Sequence, residues 1–321
     1  KIPCARDVPA VPADARPDYH PSGFSATVRL TGEVESPRLS PPVRLLILPF
    51  LFVLSVPVGA QPGPPKGVDV ALVSENSTIS ACGKFTVGLK IHHHPKFHTY
   101  WRNPGIAGVP TEIVWQLPEG FTAGPILWPY PERTLMAIHP VYGYERDVML
   151  LTEITPPPQI ASPEVRLKAA ATWMACADGC YPGKADLELV LTVSPNPVKD
   201  PAAAGAFANA RREIPQTLDG WNAELVSAVD APEIRLRLTS KLPGDSQGLP
   251  GDLYFFSSDG QISSDPPQKL ETNKDGSIEI IAPRSAYGPK GKNVLPGVLL
   301  SGSPLGKNGA RFAGIEPSAK P

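Results

Sequence analysis

No sign of charge dominates this chain. Lys plus Arg total 30 against 31 for Asp plus Glu, a formal net charge of −1, and no basic cluster stands out. Nucleic acid is therefore not an expected partner. Cysteine is scarce as well: four residues in 321 are too few for a disulfide-scaffold protein. The sequence has no Gly-rich phosphate loop in the right context, no Gly-x-Ser-x-Gly elbow and no His-Glu-x-x-His. Nucleotide-binding and hydrolase readings thus have little to stand on. Apart from one run near the N-terminus, no apolar stretch approaches the ~20 residues that span a bilayer.

Proline is abundant, with 41 residues against a usual share of about 5%. Prolines recurring every few residues break long helices and favour short strands joined by turns. Apolar runs at Val68–Val73, Phe85–Ile91, Glu112–Gln116, Val148–Ile154, Val165–Trp173 and Leu187–Val193 read as strands of a first domain, residues 66–195. Their length and spacing predict a β-sandwich. An Ala-rich connecting helix is expected over 200–215. A second, smaller β-domain follows over 218–314, with strands at Ala223–Val229, Ile234–Leu238, Leu253–Phe256, Ser277–Ile281 and Val298–Leu300. A polar tail over 315–321 closes the chain. The fold class is all-β.

The run from Val43 to Ala60 has arginines at its leading end, about a dozen apolar residues and a small-residue ending, Val58-Gly59-Ala60. It reads as a secretory signal peptide over 43–60, cleaved before Gln61. Residues 1–42 are Pro-, Arg- and Ser-rich without periodicity, and the first methionine is Met136. They are expected to be a disordered leader or no part of the natural product, with Val43 an alternative start. The processed chain should then carry Cys82, Cys176 and Cys180 in an oxidising compartment, without a membrane span. Cys82 is expected to be a buried, inert thiol.

Cys176 and Cys180 enclose Ala177-Asp178-Gly179, and Asp-Gly is a strong turn signal between strand-like flanks. The pair is expected across a tight hairpin, close enough for a disulfide. So small a ring removes little unfolded-chain entropy, which makes the bond a poor staple and points to chemistry. A disulfide at a turn is accessible and reducible, fit for exchange. The spacing does not decide which cysteine attacks.

Several separated motifs occur in one order: Phe97-His-Thr-Tyr-Trp-Arg-Asn-Pro-Gly105, Gly108-Val-Pro-Thr-Glu-Ile113, Leu117-Pro-Glu-Gly-Phe121, Trp128-Pro-Tyr-Pro-Glu132, Tyr142-Gly-Tyr-Glu145, and Trp173…Cys176…Cys180-Tyr-Pro182. Together they resemble the N-terminal periplasmic domain of the DsbD thiol:disulfide interchange proteins, including the ScsB-like branch. The resemblance is dense over 66–195 and looser beyond. It implies an immunoglobulin-like fold and a redox-active Cys176/Cys180 pair without a cofactor. It further implies periplasmic electron transfer of the kind that serves cytochrome c biogenesis. A membrane-embedded thiol transporter would be the donor, and periplasmic thioredoxin-like or disulfide-isomerase proteins the acceptors. A cap loop in the family shields the disulfide and matches Val141-Tyr142-Gly143, with Tyr142 as the expected shield. Val141 stands where the family has an aromatic, and His139-Pro140 where some members have acidic residues. Family members continue into a multi-span membrane domain and a thioredoxin-like domain. The chain is accordingly expected to be a stand-alone relative or part of a longer protein.

Two other readings compete with a thiol:disulfide oxidoreductase. His92, His94 and His98 could serve as copper ligands in a copper-tolerance module, since imidazole suits that metal. On a strand His92 and His94 share one face, so three ligands do not converge automatically. The second alternative is a non-catalytic β-sandwich adaptor whose disulfide is structural.

Overall fold

Apolar residues at every second position from Val165 to Ala175 build the spine of the molecule. In the computed structural model they form β10 (Glu164–Cys176), whose inward side chains Val165, Leu167, Ala169, Ala171, Trp173 and Ala175 are all buried. The structure describes residues 67–241, 252–305 and 309–319. The expected leader and signal peptide lie outside them.

Two four-stranded sheets make the first domain. One is antiparallel and runs in the order β1 (Val68–Ser74), β3 (Phe85–His93), β9 (Val148–Thr155) and β6 (Thr122–Leu127). The other has the order β2 (Thr78–Ile79), β11 (Cys180–Val193), β10 and β5 (Glu112–Gln116), with β2 parallel to β11. Between them lies a core that includes Phe85, Val87, Ile154, Val165, Leu167 and Leu191. This is the expected immunoglobulin-like β-sandwich.

A third, three-stranded sheet sits at the end of the sandwich that carries the cysteines. Its order is β4 (Thr99–Gly105), β8 (His139–Tyr144) and β7 (Glu132–Met136). No strand was expected here: prolines at 104, 129, 131 and 140 obscure the alternation, and β4 is irregular between Tyr100 and Gly105.

Helix α1 (Pro201–Arg212) is capped by Asp200, whose carboxylate accepts from Ala202 N at 2.9 Å, with proline at the first helical position. Phe207 and Ala210 pack against Met149 and Leu151 of β9. Arg211 then reaches Glu75, a buried carboxylate that also meets Lys199. The helix is thereby pinned to the outer face of the first sheet.

The second β-domain pairs β12 (Trp221–Leu225), β13 (Glu233–Ser240), β16 (Ile278–Pro283) and β15 (Lys269–Thr272) in one sheet. A second sheet holds β14 (Tyr254–Ser257), β17 (Gly297–Leu300) and β18 (Phe312–Ile315). Leu236, Leu238, Ile280, Phe255 and Leu299 fill the space between them. Past 314, Ile315 completes β18, Leu225 N donates to Ser318 O, and Ala319 N donates to Asn293 O. The two domains share one buried cluster in which Phe256 and Val298 meet Trp101 and Tyr142.

Candidate functional site

The β10–β11 ladder pairs antiparallel from Glu164↔Thr192 to Cys176↔Cys180, its last rung. Ala177, Asp178 and Gly179 turn the chain, with Ala177 N donating to Gly179 O at 3.0 Å. The final rung is a disulfide, Cα to Cα 4.1 Å. Its two halves differ sharply in exposure: Cys176 is fully buried, whereas Cys180 is exposed.

Backbone bonds hold Cys176 from the side. His98 N donates to Cys176 O at 2.9 Å and Cys176 N donates to His98 O at 3.0 Å, so the residue before β4 is stitched to the end of β10. Two residues on, the Tyr100 hydroxyl donates to Cys176 Sγ at 3.1 Å. Burial pushes the Tyr100 pKa up, so the group is a protonated donor at neutral pH. Tyr100 was not singled out from sequence. Its signal is a tyrosine on a buried strand one pleat from His98, where a buried phenol needs a polar partner.

Cys176 lies in a buried cluster with Tyr100 and Val141, against which Ala107, Met136 and Met174 pack. Of the three expected shielding residues, Val141 shares this cluster with Cys176. Side chains alternate along β8, so Tyr142 faces the other way. Its hydroxyl lies 3.0 Å from that of Tyr254 and its ring 4.8 Å from that of Phe256, both in the second domain. Gly143 follows on the Val141 side, where a Cβ would come within 2.1 Å of the Thr99 carbonyl oxygen. Only glycine lets β8 lie this close to β4. These segments also carry exposed apolar side chains: Ile138 at the β7–β8 turn is 83% exposed, Leu135 of β7 is exposed beside it in sequence, and Ile106 and Val109 are exposed just after β4.

Of the candidate histidines, His92 and His94 stand edge-on with ring centroids 6.1 Å apart. His92 Nδ1 lies 2.7 Å from Asp147 and His94 Nε2 lies 3.0 Å from Asp69, each pair on the surface. His98 is buried, its ring edge-on to Tyr100 at 5.2 Å, and its Nε2 has no hydrogen-bond partner among the described residues. Burial holds the His98 pKa below the usual value. Among the described residues, no three His, Cys, Asp or Glu side chains converge as a metal site requires. Cys82, expected as a buried thiol, is half-buried and disulfide-bonded.

Residues 69–192 match the model of a family described as thiol:disulfide interchange protein DsbD, N-terminal. They form a DsbD N-terminal-like domain. The disulfide, its hairpin and its cover all fall inside this DsbD-like segment. Among solved structures, the N-terminal periplasmic domain of ScsB from Proteus mirabilis superposes with a TM-score of 0.52 at 18% identity. The match covers 79% of this chain and 95% of that one, so the shared fold runs well beyond the DsbD-like segment. The sporulation control protein Spo0M from Bacillus subtilis is also found, at 8% identity and a TM-score of 0.21 over 78% of this chain and 90% of that one. Comparison with curated proteins gives no match. No helix among the described residues is long and apolar enough to cross a membrane.

Proposed function

We propose that this protein is a periplasmic thiol–disulfide exchange module in which Cys180 forms the intermolecular disulfide and Cys176 resolves it. The observation that carries the assignment is the asymmetry of the bond: Cys180 is exposed, and Cys176 is buried beneath Val141 with a hydroxyl aimed at its sulfur. A thiolate attacks a disulfide sulfur and expels the other sulfur as a thiolate. An incoming donor thiolate therefore bonds to Cys180 Sγ, the Cys176–Cys180 bond breaks, and its electron pair leaves on Cys176. Tyr100 O–H stabilises that charge. The donor's second thiol then attacks the mixed disulfide, leaving Cys180 reduced and the donor oxidised. Run toward a substrate, the Cys180 thiolate attacks the substrate disulfide and Cys176 completes the transfer.

In this reading the donor is a membrane-embedded thiol transporter, and the acceptors are periplasmic thioredoxin-like or disulfide-isomerase proteins. The exposed apolar side chains Leu135, Ile138, Ile106 and Val109 offer apolar surface to such a partner. No cofactor takes part. Trapping tests the assignment: Cys176→Ser is expected to accumulate a mixed disulfide through Cys180 with an oxidised partner, and Cys180→Ser to accumulate none. The reverse pattern refutes it. A reduction potential below about −300 mV would mark a structural bond and refute exchange altogether.

A further inference from the structure

Ser264 lies in the second domain, between β14 and β15, and is 1% exposed. Its hydroxyl makes two bonds into the first domain. Ser264 Oγ accepts from Ile106 N at 2.8 Å and donates to Pro140 O at 2.7 Å. Ile106 immediately precedes Ala107, and Pro140 immediately precedes Val141, two residues of the cover over Cys176. One buried hydroxyl thus ties together the backbone of both covering segments. Gly105 confirms how closely the serine is seated: with φ +86°, a Cβ there would fall 2.3 Å from Ser264 Oγ.

Other contacts fasten the same segments from the same side. Asn103 Nδ2 donates to Ser257 O at 2.6 Å, the Tyr142 and Tyr254 hydroxyls meet, and the Arg133 guanidinium lies 4.7 Å over the Tyr254 ring. His139 and Asp265 form an exposed pair at 3.3 Å.

We infer that the second β-domain is a clamp on the disulfide cover, with Ser264 as its positioning residue. The clamp holds the 105–108 loop and the β8 strand shut over Cys176 while leaving Cys180 open. This rests on the exchange reading for its purpose, since a cover that confines partner thiols to Cys180 fixes which sulfur leaves.

The test uses the full chain with Ser264→Ala, a change that removes the hydroxyl without adding bulk. Amide hydrogen exchange over 105–108 and 139–144 is expected to speed up about 5- to 150-fold, the range set by losing two buried hydrogen bonds of about 0.5–1.5 kcal/mol each. Exchange in the β1–β3 ladder should stay unchanged. In the reduced protein, iodoacetamide should label Cys176 faster by a similar factor while Cys180 keeps its rate. A second variant, Tyr254→Phe, should loosen 139–144 but leave 105–108 protected, because the Tyr254 hydroxyl bonds to Tyr142 of β8 and its ring meets Arg133 of β7, with no bond to the 105–108 loop. Unchanged exchange in both segments of Ser264→Ala, or a uniform rise across the chain, overturns the clamp. These measurements need no partner protein, so a failure of the trapping experiment refutes exchange without touching them.

Discussion

Replacing Tyr100 by Phe removes one oxygen from a buried site and leaves the ring in place. In the disulfide state that oxygen donates to a neutral sulfur at 3.1 Å, a bond worth about 0.5–1.5 kcal/mol. Once Cys176 carries the displaced charge, the same donor faces a thiolate, where bonds run to about 1.5–3 kcal/mol. The difference, about 1–2 kcal/mol, is what the hydroxyl adds to reduction. Tyr100→Phe should therefore slow reduction by dithiothreitol about 5- to 30-fold. It should also make the couple about 20–45 mV more negative, since about 30 mV corresponds to 1.4 kcal/mol for two electrons. The sign follows from which state loses stabilisation: the reduced thiolate does, so the disulfide becomes harder to open. Glutathione titration gives the potential and stopped-flow fluorescence the rate, both at a pH where the leaving sulfur is ionised. Burial raises the Tyr100 pKa, so the donor persists into the alkaline range. A potential that stays put or turns less negative, with reduction as fast as in the wild type, would refute the role assigned to the hydroxyl.

Other substitutions probe the frame around the site. Glu75 has its pKa lowered to about 2, chiefly by its hydrogen bond to Arg211. Its contribution is present above the unfolded value near 4.5 and lost as pH falls toward 2, and screening through its exposed partners leaves on the order of 1–2 kcal/mol. Glu75→Gln should lower urea stability by that amount at pH 7 and by almost nothing at pH 2. Burial lowers the His93 pKa to about 4, so the unfolded chain takes up the proton first. Stability should fall by about 2–3 kcal/mol as pH drops from 6.5 to 4, and His93→Gln should flatten that window in denaturant titrations. Gly143→Ala would drive a methyl against the Thr99 carbonyl. It should cost more than about 2 kcal/mol and lower Tm by several degrees, while a Tm within a degree of the wild type would count against the close β4–β8 approach.

The sandwich was legible because strands such as β10 alternate without interruption, and Asp178-Gly179 marked the hairpin that carries the cysteines. The covering sheet was not, because its strands are short and proline-laden and take their shape from tertiary partners. Tyr142 shows the limit most clearly. A motif match gives the position of a residue along the chain, but the face it presents depends on the pleat of β8, which puts Val141 in the cluster of Cys176 and Tyr142 against Tyr254 and Phe256. The asymmetry between Cys176 and Cys180 was equally hidden, since both flank the same turn and only the packing of β4 and β8 buries one of them. Ser264, more than 80 residues from either cysteine in sequence, has no local signal at all.

The two backbone bonds between His98 and Cys176 have a consequence for timing. They do not depend on the sulfur–sulfur bond, so they persist when it opens, and the last rung of the hairpin keeps its place. A resolving thiol anchored in this way stays within reach of Cys180 at a high effective concentration, without a search through loop conformations. Mixed disulfides on Cys180 should then be short-lived in the wild type, whatever the partner. In the proposed exchange, the buried sulfur is therefore already in place at the moment it has to act.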